Sequence, residues 1–272
     1  TDDMADDAMS DDMADDAMSD DMADDAMTDD EMTDDMADDE MTDDMTDDDV
    51  VALYDGALEV CERHGAEIVG GDTVGSPGGL VISVALTGWV DRERALTRSG
   101  AVVGDALMLT GEIGASEAGL RALAEDLQDD ESVLAAKSRH IEPSARVAEA
   151  QALMDVATPH AMIDISDGLS SDAWHVAEES GVGLVLDDNE IPGLPAARSV
   201  AGALGVDALE LVLASGEEFE LLVAVPPSEA ERTSEHVRAV TGLTVEMGMG
   251  QAITLEGATA ILLGANIGTC AT

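Results

Sequence analysis

Ala161-Met-Ile-Asp-Ile-Ser-Asp-Gly-Leu169, continued through Ser170–Ser180 into Gly183-Leu-Val-Leu186, decides the fold. Residues 161–165 form a short apolar run that meets a glycine turn. Apolar positions then recur at helical spacing over 170–180, and 183–186 is apolar again. The spacing therefore predicts strand, helix and strand in immediate succession, a unit of an α/β layered domain.

The same alternation extends outward on both sides. Toward the C-terminus, Phe219–Val225 is a nearly continuous apolar run, as expected of a strand covered on both faces, and Ser228–Thr241 is patterned as a helix. Toward the N-terminus, Arg146–Val156 predicts a helix and Ala106-Leu-Met-Leu109 a strand. That strand leads through the glycine turn Thr110-Gly-Glu-Ile-Gly114 to a helix with Leu120, Leu123, Ala124 and Leu127 on one face. Farther out, Leu53, Ala57, Val60 and Cys61 follow i, i+4, i+7, i+8 spacing, predicting a helix that starts at Val50 and ends near His64-Gly65. Ala66–Val69 then reads as a short strand running into Gly70-Gly-Asp-Thr73, and Leu80–Trp89 as a strong strand after the turn Ser76-Pro-Gly-Gly79.

Charge excludes one class of partner. The 272 residues carry 61 acidic and 11 basic side chains, a formal net charge of −50, so no basic patch of useful size can be built for a nucleic-acid backbone. Residues 1–50 hold 25 of the acids and no base, in a repeat of Met-Ala-Asp-Asp-Ala-Met-Ser-Asp-Asp units that decays into Met-Thr-Asp-Asp. Paired aspartates repel at each turn of a helix, so 1–49 is expected to be disordered. The rest remains strongly acidic, with Lys137 as its one lysine, a composition suited to a high-salt cytoplasm where the Debye length falls to about 3 Å. No apolar run reaches the roughly 18 to 20 residues of a membrane span, and the N-terminus lacks the pattern of a signal peptide. Cys61 and Cys270 have no metal-ligand spacing; Cys61 is expected to be a buried small apolar residue.

Three places set carboxylates beside glycines at strand ends: Gly70-Gly-Asp-Thr73, Asp164-Ile-Ser-Asp-Gly168 and Ser215-Gly-Glu-Glu-Phe-Glu220. Acid-rich loops of this kind suit Mg²⁺, which takes few carboxylates and bridges them to substrate phosphates, and so they point to a nucleotide. The chain has no Gly-x-x-x-x-Gly-Lys-Ser/Thr loop, so a P-loop mechanism is out. Taken singly, each motif has a plainer reading as a hairpin, a helix cap or a solvated strand entry.

In their order, the motifs resemble those of the thiamine-monophosphate kinases, in the superfamily of aminoimidazole ribonucleotide synthetase, selenophosphate synthetase and a hydrogenase maturation factor. The resemblance runs from about Val51 to Pro227. Leu53-Tyr-Asp-Gly56 and Ile68-Val-Gly-Gly-Asp-Thr73 resemble the family's nucleotide-side helix and loop. Leu96-Thr-Arg-Ser-Gly-Ala101 and Thr110–Leu120 resemble the start of its C-terminal domain, and His140-Ile-Glu-Pro-Ser-Ala-Arg146 its His-x-x-Pro-x-x-Arg segment. Met162–Leu169 with Asp172 resembles its signature, and Ser215–Leu222 its Gly-Gly-Glu-Asp-Tyr-Glu-Leu-Leu.

The resemblance implies an AIR synthetase-like fold: a C-terminal mixed-sheet domain with helices over 93–265, a remnant of the N-terminal ATP-binding domain over 50–92, the disordered repeat over 1–49 and a tail over 266–272. It implies that Asp72, Asp164 and Asp167 hold Mg²⁺, that Tyr54, Gly71, Asp72, Arg98 and Ser166 contact ATP, and that Glu217 lies near the thiamine phosphate. Asp167 and Arg98 would be the catalytic residues. The implied reaction is direct transfer of the ATP γ-phosphoryl group to thiamine monophosphate, giving thiamine diphosphate, with no covalent enzyme intermediate. The family's further N-terminal motifs, which carry more ligands and the strands of its homodimer, have no counterpart here. A nucleotide-binding remnant without turnover, or another ATP-dependent enzyme of the superfamily, is the alternative expectation. Ser215 replaces a family glycine and Phe219 a tyrosine, and Ile253–Thr272 lacks the aromatic residue that closes over thiamine.

Overall fold

The computed structural model describes residues 45–76, 78–254 and 261–263, the last three as backbone. Most of the acidic repeat and the expected tail 266–272 lie outside the described residues. The chain divides into two compact units, one ending at Ile82 and one beginning at Ser83.

In the first unit, helix α1 spans Asp47–His64 and so begins three residues ahead of Val50. The last repeat unit supplies the reason. Thr46 accepts from the Asp49 N–H while the Asp49 carboxylate accepts from the Thr46 N–H, a reciprocal capping box. Asp47, Asp48 and Asp49 sit at the positive end of the helix dipole, which makes their acidity favourable there. At the other end Gly65, at φ 68°, closes the helix in the left-handed conformation. No residue of α1 is buried, and Cys61 is half-buried rather than buried as expected.

The expected strands Ala66–Val69 and Leu80–Trp89 do not form: both segments lack ladder pairing, and Val69, Val84 and Trp89 are 94%, 85% and 95% exposed. Their β-branched and aromatic residues suit a pleated, half-buried surface, but among the described residues no strand pairs with them.

The second unit holds one six-stranded sheet. Its strands are β1 (Ala106–Thr110), β2 (Ala161–Asp164), β3 (Gly183–Leu186), β4 (Leu221–Val225), β5 (Val245–Ile253) and β6 (Ile261–Leu263). Its helices are α2 (Ala115–Ala124), α3 (Glu131–Ile141), α4 (Val147–Val156), α5 (Leu169–Ser180), α6 (Pro195–Leu204), α7 (Ala208–Ala214) and α8 (Pro227–Thr241). The strand order is β2-β4-β1-β5-β3-β6, antiparallel throughout except for the parallel pair β3–β6.

Period-two alternation sorts the side chains of the central strands into two cores. Leu107, Leu109, Leu222 and Ala224 join α5 residues such as Leu169 and Val176. Met108, Val223 and Val225 join Leu153 of α4 and Val237 of α8. β4 is thus covered on both faces, as its apolar run predicts. A third core of small residues joins Ala118 and Ala122 of α2, Val133 and Ala136 of α3, and Ala197 and Val200 of α6. This corrects the expected apolar face of α2: Leu120 and Leu123 are 45% and 43% exposed, while the alanine side packs. Among the described residues no helix is long and apolar enough to cross a membrane.

Candidate active site

β2 ends at Asp164, and the chain turns through Ser166 and Asp167 into α5. Gly168, at φ 101°, makes the bend, and a side chain there would meet the Ala214 carbonyl at 3.0–3.1 Å. The carboxylate that shapes this turn is Asp172, in the first turn of α5. It is 1% exposed, and its Oδ2 accepts the Ser166 N–H at 3.0 Å and the Asp167 N–H at 3.1 Å. Burial, with the charges of Asp167 and Asp164 adding to it, pushes the Asp172 carboxyl above its ordinary range, against the pull of those two N–H groups.

The turn leaves the Asp164 and Asp167 side chains exposed. Both line one cavity of about 350 Å³ together with Arg98, Ser166, Thr97 and His175. Four predicted site residues from two separate motifs, Arg98, Asp164, Ser166 and Asp167, therefore share one recess. Arg98 donates to Glu179 of α5 at 3.0 Å, in a pair about half exposed on both sides. Such a pair contributes about 0–1 kcal/mol, so the guanidinium is free to exchange this partner for a phosphate oxygen. Asp167 also lines a second cavity of about 480 Å³ with Ser170, Ser171, Asp207 and Glu210.

Glu217 does not line the first cavity but is bonded to its rim: its N–H donates to the Ser166 carbonyl at 2.9 Å. Its side chain is 65% exposed, and His140 Nδ1 lies 4.0 Å from its carboxylate. Glu217 and Phe219 both stand in the left-handed region, at φ 55° and 54°. Such strain in non-glycine residues is characteristic of sites whose surroundings over-determine the backbone.

The other acids of this motif are structural. Glu220 is fully buried and accepts from Arg139, from the Thr110 hydroxyl and, through two bonds of 2.5 and 2.7 Å, from Arg146. The hydrogen bond to Glu220 raises the Arg146 guanidinium above its usual value. Glu218 is 2% exposed, and burial holds its carboxyl above the ordinary range, opposed by the Ser215 hydroxyl and the Ser116 and Gly114 N–H groups.

Tyr54, Gly71 and Asp72 belong to the first unit. There the Tyr54 hydroxyl approaches Gly71 so closely that a Cβ would lie 3.2 Å from it. Asp72 is exposed, and its Oδ1 accepts the N–H of Thr73 at 2.9 Å. Among the described residues no three His, Cys, Asp or Glu side chains converge as a metal-binding group. No closed protein cage is built among the described residues; two exposed carboxylates on one cavity fit Mg²⁺, which retains waters and leans on substrate phosphates.

Asp172 and His175 are the residues that motif reasoning leaves without a role. Both lie on α5 at helical spacing from the signature turn, which is the signal that places them at the cavity.

Residues 102–244 match the family described as AIR synthase related protein, C-terminal domain. The chain is 37% identical over 180 residues to the thiamine-monophosphate kinase of Salmonella typhimurium, covering 64% of this chain and 53% of that protein. It is 38% identical over 172 residues to that of Mycobacterium tuberculosis, covering 63% and 50%. Among solved structures, thiamine monophosphate kinase from Aquifex aeolicus superposes with a TM-score of 0.65 at 27% identity, over 82% of this chain and 70% of that one. The structure of AaThiL complexed with AMPPCP and TMP gives a TM-score of 0.65 at 26% identity, over 81% and 66%. The chain spans about half the length of the curated relatives it matches.

Proposed function

Because the chain belongs to the AIR synthase related family through its C-terminal domain, we propose that it binds Mg-ATP and directs the γ-phosphoryl group onto the phosphate of thiamine monophosphate. The observation that carries this reading is the single cavity shared by Arg98, Asp164, Ser166 and Asp167, in a chain similar to thiamine-monophosphate kinases.

On this reading Asp164 and Asp167 would hold the ion, and Mg²⁺ would supply neutralisation of charge between two anionic phosphates. Ser166 positions the nucleotide at this cavity. Arg98 leaves Glu179 to contact the transferring group, where its charge stabilises the transition state. The bond between the γ-phosphorus and the β–γ bridging oxygen breaks as an oxygen of thiamine monophosphate bonds to that phosphorus, leaving ADP and thiamine diphosphate. Donor and acceptor react in line, so the protein's work is positioning, and no covalent enzyme intermediate forms. The exposed carboxylate of Glu217 complements the cationic thiazolium ring. A cytoplasm of high salt suits this activity and the acidic surface.

A second reading is nucleotide binding without turnover, favoured by the buried Asp172 carboxylate, which is spent on the Ser166 and Asp167 N–H groups and so leaves only Asp164 and Asp167 exposed on this cavity for an ion. Two measurements separate the readings. Titration with Mg-ATP in molar KCl gives binding heat that disappears in the double variant Asp164→Ala, Asp167→Ala; a parent protein that gives no heat ends both. Thiamine diphosphate formed from thiamine monophosphate and ATP, lost in Arg98→Ala, establishes the kinase. Binding without product leaves the second reading standing.

A further inference from the structure

We propose that Glu218 is a positioning residue: its buried carboxylate fastens the 215–219 turn to the start of α2 and, through that turn, holds the Ser166–Asp167 backbone in place. The consequence for Mg-ATP rests on the function proposed above; the mechanical role does not.

Glu218 Oε1 accepts the Gly114 N–H at 2.7 Å, the Ser116 N–H at 3.0 Å and the Ser215 hydroxyl at 2.5 Å. Ser215 Oγ in turn accepts the Glu117 N–H at 3.0 Å. Three N–H groups at the head of α2, those of Gly114, Ser116 and Glu117, are thus spent on this turn. The other oxygen, Oε2, is buried without a hydrogen bond, 3.7 Å from the Arg139 guanidinium. A half-satisfied buried carboxylate is a poor way to stabilise a fold, since an apolar residue of similar volume would avoid its desolvation. Its placement makes sense as a tether.

What it tethers is strained and touches the site. Glu217 and Phe219, the residues on either side, both hold positive φ. The Glu218 and Phe219 N–H groups donate to the Ile165 carbonyl at 3.1 and 2.9 Å, and the Glu217 N–H donates to the Ser166 carbonyl at 2.9 Å. Gly216 lies so near that a Cβ would stand 2.7 Å from the Ser166 oxygen. Two motifs distant in sequence therefore form one piece, in which Glu217 and the Ser166–Asp167 turn are registered against each other and Glu218 and Ser215 pin that piece to α2. Released from α2, the strained turn relaxes toward negative φ, and the carbonyls of Ile165 and Ser166 lose their fixed donors.

The test compares the whole chain with Glu218→Ala, Glu218→Asp and Val237→Ala. The last removes volume from the core formed with α4 and α8, lowering the melting temperature without touching the turn. All are measured where circular dichroism shows them folded. Mg-ATP affinity comes from titration calorimetry, and backbone order from hydrogen–deuterium exchange of the peptide spanning residues 163–170. Both Glu218 variants are expected to weaken binding and to speed exchange by about tenfold, a size typical of coupling within one hydrogen-bond network. Val237→Ala changes neither. Parent-like affinity and exchange in the Glu218 variants overturn the proposal. Should Glu218→Ala fail to fold, Glu218→Asp, which keeps the charge but withdraws it from Gly114 and Ser116, decides the matter. A parent that takes up no Mg-ATP defeats the nucleotide reading alone, and exchange over 163–170 then decides the role of Glu218.

Discussion

Glu217, Glu218 and Glu220 sit within four residues, yet the first is exposed, the second half-satisfied in the interior and the third fully paired. Local sequence does not separate them, because the partners that permit burial, Arg139, Arg146 and Thr110, come from distant elements. Asp164 and Asp167 were legible by contrast, since a strand end followed by a glycine turn and a helix puts both at one mouth. The Glu220 network gives a direct prediction. Glu220→Ala leaves two guanidinium groups and a hydroxyl without their acceptor in a buried place. It should lower the unfolding free energy by about 3–5 kcal/mol, as loss of one partner from a buried ion pair does. Urea denaturation with an unchanged slope checks it; a loss near that of a surface substitution would mean that Arg139 and Arg146 find solvent instead.

At the scale of elements, β1 to β4 were legible because their runs are apolar and pair within the unit, as Leu221–Val225 does on both of its edges, whereas β5, interrupted by Gly248 and Gly250, and the three-residue β6 were not. Leu80–Trp89 has equal β propensity and no partner among the described residues, so propensity alone misplaced it. Helix α2 failed differently. Leucine spacing marks Leu120 and Leu123, but the packing face is the one with the least side chain, because α2 and α3 approach so closely that backbone fills the gap. A Cβ on Gly119 would stand 2.2 Å from the Ala136 carbonyl oxygen and 3.0 Å from His140 Cβ. Gly119→Ala should therefore destabilise by about 1–3 kcal/mol or more through overpacking, even though alanine gains close to 1 kcal/mol of helix propensity over glycine. A thermal or urea midpoint equal to or above the parent's would show that the helices can part freely. His140, which shares a 3.1 Å hydrogen bond with Ser116 across this seam, should shift its ring resonances in the same variant.

The whole molecule adds a field to these local terms. Burial raises the carboxyl groups of Asp172, Glu218 and Glu112 above their ordinary values of 3.8 for Asp and 4.5 for Glu; Glu246 adds to the shift at Glu112. Each folded group binds its proton more tightly than the unfolded chain does. Its contribution to stability is therefore fully present below the unfolded value and is lost as pH rises through the raised folded value. Repulsion within a net charge of −50 acts in the same direction, growing as carboxylates ionise. Salt separates the two parts. Raising ionic strength from about 0.1 M to 1 M shortens the Debye length from about 10 Å to 3 Å, which suppresses the surface repulsion but reaches the buried groups much less. The urea midpoint in dilute KCl should therefore be higher near pH 5 than near pH 7.5, and in molar KCl the gap should narrow without closing. Its residue at high salt should shrink further in Asp172→Asn, which keeps an acceptor for the Ser166 and Asp167 N–H groups and carries no charge. A midpoint that climbs steadily from pH 5 to 7.5 at both salt concentrations would mean that paired carboxylates, not buried ones, govern the stability of this chain.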